Sequence, residues 1–310
     1  MTPHIQTDSG RLRAAAARNP VADRLVRMDS LRWLMLFPAV SVLAIFTLVP
    51  LVRTIYMSLY TYRIGRPGVW AGLDNYERLL ADSAFLSTVR TTLIFTVGAV
   101  TLQVLLGLAM ALLLVGPVSR WRTVVRTLFL LPMVLSPVVV GIVWRALLNP
   151  QYGWINQLFG FQSGWLSDPD VALMTLVLVD TWQWAPFVFV ILLSGLLGLP
   201  HEVLEAARID GANRLQSLLY VTLPMLMPLI GVVALLRGIE ASKMFDLVFN
   251  LTGGGPGTST ETIGFYTYRV AFKSFDQGYA AAVTVVLVVL VGALIGTLVG
   301  FGQRIARKEP

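Results

Sequence analysis

Apolar residues in this chain fall in six long runs rather than in alternating or short amphipathic patterns. The runs cover about Leu31–Leu51, Thr91–Val115, Leu128–Leu148, Val171–Leu199, Thr222–Lys243 and Tyr279–Phe301. Several exceed about 18 residues, the length that calls for a bilayer rather than a protein core. The pattern predicts an all-α polytopic membrane protein with six spans. Pro132 and Pro137 fall inside the third run and predict a bend there, because each removes a backbone donor. A mixed segment, Tyr60–Arg90, separates the first two runs. Its Leu73-Asp74-Asn75-Tyr76 reads equally as the start of a short amphipathic helix or as a solvated interfacial stretch.

One polar island interrupts this pattern, from Glu205 to Pro228. A short helix over His201–Asp210 should end at Gly211, since glycine supplies the left-handed backbone that closes a helix. Leu223-Pro224 then restarts the chain into the next run. The domain division predicted is a basic tail over 1–30, a six-span body over 31–303 with the island at about 200–222, and a short tail over 304–310.

Composition agrees. The 310 residues are 56% hydrophobic and 13% charged, with a mean hydropathy of +0.72. There is no cysteine, so disulfides and thiolate metal sites are excluded, and His4 and His201 lie too far apart to suggest a metal site. The net charge of +7 is explained by its distribution rather than by nucleic acid. The N-terminal arginines (Arg11, Arg13, Arg18, Arg24, Arg27), the Arg120–Arg126 turn, Arg208 with Arg214, and the C-terminal Arg304, Arg307 and Lys308 all fall on one face of a six-span layout. Arg63, Arg66, Arg269 and Lys273 occupy the other face more sparsely. The positive-inside rule places both termini and the Glu205 island on the cytoplasmic side of the membrane. The first 30 residues lack the apolar core of a secretory signal. Their Arg and Ala content also fits a mitochondrial-type targeting peptide, against which Asp8, Asp23 and Asp29 weigh.

The island has a specific likeness. Glu205-Ala206-Ala207, Asp210-Gly211-Ala212, Val221 and Leu223-Pro224 resemble the cytoplasmic Glu-Ala-Ala loop of permease subunits from binding-protein-dependent ABC importers. Leu218 and Val221 stand where many members carry Phe and Ile, which preserves the apolar character. The resemblance implies that Glu205, Ala206, Ala207, Asp210, Gly211, Leu223 and Pro224 couple the chain to an ATPase. A second likeness runs through Phe245–Pro256, Thr262 and Tyr266-Thr267-Tyr268-Arg269, and is similar to the maltose and glycerol-phosphate permease branch. It implies the type I importer permease fold, and the first of two unlike permeases. The partners implied are two ATPase subunits, an extracytoplasmic sugar-binding protein and membrane lipid.

This chain itself carries no Walker-type phosphate loop; Gly253–Gly257 lacks the lysine and reads as a turn. The resemblance therefore implies no catalytic residue, metal or cofactor here, with ATP and Mg²⁺ held by the partner ATPase.

Polar residues inside the runs are candidates for a substrate path. Ionisable groups at membrane depth cost about 2.5–3.5 kcal/mol each on insertion scales and face a cavity or one another. Arg237, Glu240 and Lys243 recur every three residues, and Arg237 with Glu240 is the expected structural pair. Gln183 and Trp184, with Glu240, Lys243 and Asn250, are the expected sugar contacts, since Trp faces stack on sugar rings and polar groups fix hydroxyls. Trp182 and Trp184 fit equally well as interfacial anchors. Trehalose, maltose-type sugars and glycerol 3-phosphate all stay open. The sparse cations of the fifth run favour a neutral disaccharide. An intramembrane enzyme, a proton-coupled solitary carrier using Asp180, Arg237 and Glu240, and an amino-acid or metal importer fit less well.

Overall fold

The computed structural model describes residues 20–306 apart from 64, 117–119 and 160–163; the side chains of 20–34, 120, 294, 297–299 and 301–306 fall outside the description. Arg11, Arg13 and Arg18, and the side chains of Arg24, Arg27 and Arg120 and of the C-terminal tail, therefore lie outside the described residues.

The chain is helical almost throughout. Helix α1 spans Pro20–Ser58 and is already helical where a tail to Ser30 was expected. By contact it belongs to a separate unit, Met1–Tyr56, from the body, Met57–Pro310. Its side chains from Met35 to Tyr56 are largely exposed hydrophobics.

The body opens with a hairpin, β1 (Tyr60–Thr61) against β2 (Val69–Trp70), antiparallel with Tyr60 opposite Trp70. Then comes α2 (Asp74–Ala81), the amphipathic helix of the two readings of this stretch, which buries Asn75 and Leu79. The second span, α3, runs Ser83–Leu114, eight residues earlier than the apolar run begins. Asp82 is the reason, because its carboxylate accepts the Ala84 N–H at 2.9 Å and caps the helix.

The third run does not form one bent helix. It breaks into α4 (Arg120–Val134) and α5 (Pro137–Leu147), which meet at 100°. Pro137 disfavours helical backbone at Ser136, which sits extended at φ −62° and ψ 138°. Proline is then well placed as the first residue of α5. A short α6 (Trp154–Phe159) follows, then α7 (Pro169–Leu197), α8 (His201–Ile209) and α9 (Arg214–Ser217). A π-helical turn, Leu218–Thr222, feeds α10 (Leu223–Ser242). The loop beyond holds α11 (Asp246–Leu251) and α12 (Ile263–Tyr268), joined by the Gly253–Gly257 turn, where Gly253, Gly254 and Gly257 have positive φ. A second π turn, Arg269–Lys273, precedes α13 (Gln277–Ala306).

Among the described residues four helices are long and apolar enough to cross a membrane, or five if α4 and α5 make one crossing. The sixth expected crossing falls on α13, whose described apolar stretch is Gln277–Ala293. Many bulky hydrophobics point outward, including Leu93, Leu113, Val134 and Ile142. That surface suits lipid and not water.

Two apolar clusters stack along the bundle. One joins Phe95 and Ala99 of α3 to Leu176, Val177 and Val179 of α7 and Ala241 of α10. The other joins Ala111 and Leu114 of α3 to Val188, Phe189 and Leu192 of α7 and Leu226 and Val233 of α10. The order of these partners makes α3 and α7 parallel and α10 antiparallel to both. Gly107 allows the approach: a Cβ there would lie 2.9 Å from the Phe189 backbone nitrogen and from Val188.

Between the two clusters sits a polar layer. The Gln103 amide of α3 donates to the Asp180 carboxylate of α7 at 2.7 Å, Arg237 of α10 donates Nε–H to Gln103 Oε1 at 2.9 Å, and Arg237 Nη2 meets Asp180 Oδ2 at 3.3 Å. All three side chains are buried.

Removing one charge of this pair should be worse than removing both, because a lone buried charge is left behind. Arg237→Met should lose about 3–5 kcal/mol of stability by that principle. Asp180→Leu/Arg237→Met should recover most of it. Thermal unfolding of the detergent-solubilised protein compares them, and equal losses in single and double variants would refute the argument.

The Asp82 cap titrates in a predictable sense. Burial alone would raise its carboxyl, but hydrogen bonds from the hydroxyls of Tyr266 and Tyr279 and from the Ala84 and Phe85 N–H groups outweigh this and hold it below the usual carboxylate range. Its stabilisation is present in full above the unfolded-state value and is lost as pH falls through the lower folded one. An acid titration of unfolding temperature should therefore show a steeper fall below about pH 4 in the wild type than in Asp82→Asn.

Candidate functional site

The end of the bundle formed by the C-termini of α3 and α7 carries the polar island. Helix α7 stops at Leu197, and Pro200 precedes α8. Helix α8 closes at Asp210, whose N–H reaches the Ala206 carbonyl at 2.9 Å. Gly211 follows at φ +84°, and the chain turns back with the Ala212 N–H on the Ala207 carbonyl at 3.0 Å. A side chain at Gly211 would meet no neighbour; only the backbone conformation demands glycine there. Asn213 and Gln216 then form a reciprocal capping box at 2.9 and 2.8 Å that starts α9.

No residue of α8 is buried. Glu205, Ala206 and Asp210 are exposed and Ala207 half-buried, while Leu223 is half-buried and Pro224 exposed at the head of α10. Exposed apolar side chains flank them: Ile209 is 85% exposed and Tyr220 77%. This short helix presents two alanines, a carboxylate and a bare isoleucine on a surface with no buried residue. It has no hydrolytic or redox chemistry to offer.

The five residues expected along a substrate path are scattered in their surroundings. Gln183 is buried, and its amide donates to the Leu135 carbonyl at 2.9 Å, satisfying the backbone at the α4–α5 break. Trp184 is half-buried, with the Arg237 guanidinium 4.6 Å over its ring and Phe187 edge-on. Glu240 and Lys243 are exposed and pair with each other at 2.9 Å. Asn250 donates to the Asp246 carbonyl at 2.7 Å and packs closely on Gly141 of α5.

The expected Arg237–Glu240 pair does not form. Three residues advance a helix about 300°, so each step drifts roughly 60° around the axis. Arg237 therefore faces inward to Asp180, and Glu240 and Lys243 rotate out to the surface. Gln103 passed unnoticed in the sequence, although a lone amide in an apolar run was its visible signal. Ile209 and Tyr220 passed too, because exposure cannot be read from an apolar residue type.

The fold is that of a helical, polytopic membrane protein with an exposed polar loop at one end. The chain belongs to the family of binding-protein-dependent transport system inner membrane components, which matches residues 103–307. It is 40% identical over 283 residues to the probable ABC transporter permease protein y4oQ of Sinorhizobium fredii, covering 89% of this chain and 91% of that one. It is 34% identical over 272 residues to the trehalose/maltose transport system permease protein MalF of Thermococcus litoralis, covering 86% and 91%. Its fold matches a chain of a bacterial ABC transporter involved in the import of the acidic polysaccharide alginate, with TM-score 0.80 at 22% identity, covering 91% and 98%. Permeases of this family are non-catalytic, and a separate subunit hydrolyses ATP.

The contrast between Gln183 and Glu240 is measurable. Gln183→Leu leaves the Leu135 carbonyl without its donor and should cost about 1–3 kcal/mol. Glu240→Gln breaks only a solvent-screened pair and should change stability by no more than about 1 kcal/mol. Unfolding temperatures in detergent would rank them, and the reverse order would contradict the assigned roles.

Proposed function

We propose that this chain is the permease subunit of an ATP-driven importer for a carbohydrate, most plainly a neutral disaccharide of the trehalose or maltose type. The observation that carries the reading is the α8–Gly211 unit, an exposed short helix closed by a glycine turn between two bundle helices, in a chain of this transport family. Relatives named for trehalose/maltose and for lactose transport support the sugar class. A relative named for sulfoquinovosyl glycerol keeps the class broader than one sugar. Six crossings with both termini and the island in the cytoplasm complete the reading, supported by the distribution of basic residues.

In this reading Glu205, Ala206, Ala207, Asp210 and Gly211 form the seat for one ATPase subunit, with Leu223 and Pro224 fixing the return into α10. A second, unlike permease presents the matching seat to the other ATPase subunit. ATP and Mg²⁺ stay on the ATPases. When these close, α8 is carried as a rigid body and moves α7 and α10 with it. The sugar biases the two access states only by its own differential affinity, so ATP supplies the remainder. Trp184 and Gln183, with Glu240, Lys243 and Asn250, remain the proposed contacts along the path. An extracytoplasmic binding protein delivers the sugar at the hairpin end; an alginate transporter solved with its periplasmic protein has the same fold, at TM-score 0.77.

Affinity purification of the chain should bring down an ATPase, a second permease and a binding protein whose sugar-loaded form stimulates ATP hydrolysis. Glu205→Lys should lose the ATPase while the other permease stays bound. Gly211→Ala, which forces a Cβ into left-handed backbone at about 1–2 kcal/mol, should weaken the same contact more mildly. A chain that purifies alone and is indifferent to both changes would point instead to a solitary carrier. Stimulation by glycerol 3-phosphate rather than a disaccharide would reassign the substrate.

A further inference from the structure

At the opposite end of the bundle from α8, a cavity of about 310 Å³ opens beside the N-terminus of α3. Residues far apart in sequence meet there: Arg63 after β1, Arg78 on α2, Asp82, then Tyr266 and Arg269, then Asp276 and Tyr279. They are held by the apolar cluster of Leu79, Phe85, Ile263 and Val283 beneath.

The acids lining this cavity, Asp82 and Asp276, and Glu261 behind Arg269 are already committed. Asp82 accepts the hydroxyls of Tyr266 and Tyr279 at 2.5 and 2.8 Å. The Asp276 side chain, 5% exposed, holds Arg78 at 2.8 Å and Arg63 at 3.7 Å. Glu261, 3% exposed, holds Arg269 through two hydrogen bonds of 2.6 and 3.2 Å. The guanidiniums are placed the other way round: the side chains of Arg63, Arg78 and Arg269 are 52%, 55% and 37% exposed. Each guanidinium has five N–H donors, and these contacts use at most two of them.

A ligand entering here meets guanidiniums with spare donors, while Asp276 and Glu261 are buried and the half-buried Asp82 is occupied by two tyrosine hydroxyls. A neutral sugar needs both donors and acceptors, so the cavity suits an anion with planar, bidentate geometry. The surrounding surface says what carries that anion. Exposed aromatics lie on the same segments: Trp70 on β2 is 61% exposed, and Phe275, next in sequence to Asp276, is 52% exposed at φ 55°. Arginine together with exposed aromatics is the composition favoured at protein–protein interfaces.

We propose that this cavity is a socket for an Asp or Glu side chain of the extracytoplasmic binding protein, engaged through Arg63 and Arg78 when that protein docks. The proposal rests on the importer reading above. Arg63 is the side chain to alter, since its tie to Asp276 is the longest of the three arginine pairs and the rest of the cavity stands without it.

The assembled complex is placed in nanodiscs of phosphatidylcholine alone. Its affinity for the co-purified, sugar-loaded binding protein is then measured across about 50–500 mM salt, a range over which such contacts are screened. Arg63→Glu should weaken binding about tenfold or more at low salt and flatten the salt dependence. Arg63→Gln, which adds no negative charge beside Asp276, should weaken it by a smaller factor in the same direction. Both should keep the unfolding temperature of the parent, so that a loss of fold is recognised as such. Changing acidic residues of the binding protein to Lys one at a time should find one that restores affinity for Arg63→Glu and weakens it for the parent. If the parent binds and both variants bind equally well, the socket is refuted while the importer reading stands. An effect of the variants seen only in nanodiscs containing anionic lipid would refute it too, and assign the cavity to a headgroup. If the parent complex shows no binding-protein-dependent ATPase at all, it is the importer reading that falls.

Discussion

The polar layer of Gln103, Asp180 and Arg237 is the constraint around which the bundle is arranged. It lies between two apolar clusters that would pack in several registers if left to themselves, since Leu, Val and Ala surfaces slide past one another at little cost. In lipid there is no hydrophobic drive between helices, so close packing and interhelical hydrogen bonds set the geometry. A carboxylate, a guanidinium and an amide from three helices must meet, because each alone would be a buried charge or an unsatisfied dipole. Their meeting sets the register of α3, α7 and α10 at one level. Gly107 then lets α3 and α7 close on each other further along.

That register matters because α8 hangs from two of the same helices. With α7 and α10 cross-linked at mid-depth, a displacement of α8 cannot be absorbed by independent sliding of its two supports. The break between α4 and α5 is the complementary feature. Its freed Leu135 carbonyl is taken up by Gln183 of α7, so even the discontinuity is tied to the helix that carries the knob. Trp184, the next residue, lies against Arg237. Of the five residues expected to meet sugar, Gln183 and Trp184 are thus tied to the side chains and backbone that hold the bundle together, whereas Glu240, Lys243 and Asn250 are not.

Most of the layout was legible in the chain. Runs of apolar residues longer than a core helix needs implied a membrane, and the Glu205–Pro224 pattern pointed to the transport family that matches residues 103–307. Gly211 and the Gly253–Gly257 turn were readable because positive φ is a local requirement. Local rules failed where a partner from elsewhere decided the outcome. The expected pairing of Arg237 with Glu240 counted spacing along one helix and left out the carboxylate of another. The third run was read as one bent helix because the proline rule foretells a disturbance but not its angle; at the 100° break the Gln183 amide donates to the freed Leu135 carbonyl.

By itself, then, the sequence determined the membrane environment, the helical class and the transport family. These follow from composition, run length and residues adjacent in the chain, which act before any tertiary contact exists. Only the tertiary structure decided which ionisable groups are buried together, which apolar side chains are left bare around α8, and that Arg63, Arg78 and Asp276 share one cavity. Arg63 and Asp276 are more than two hundred positions apart. No spacing rule reaches that far, because their meeting is fixed by how the hairpin, α2 and the start of α13 pack on one another.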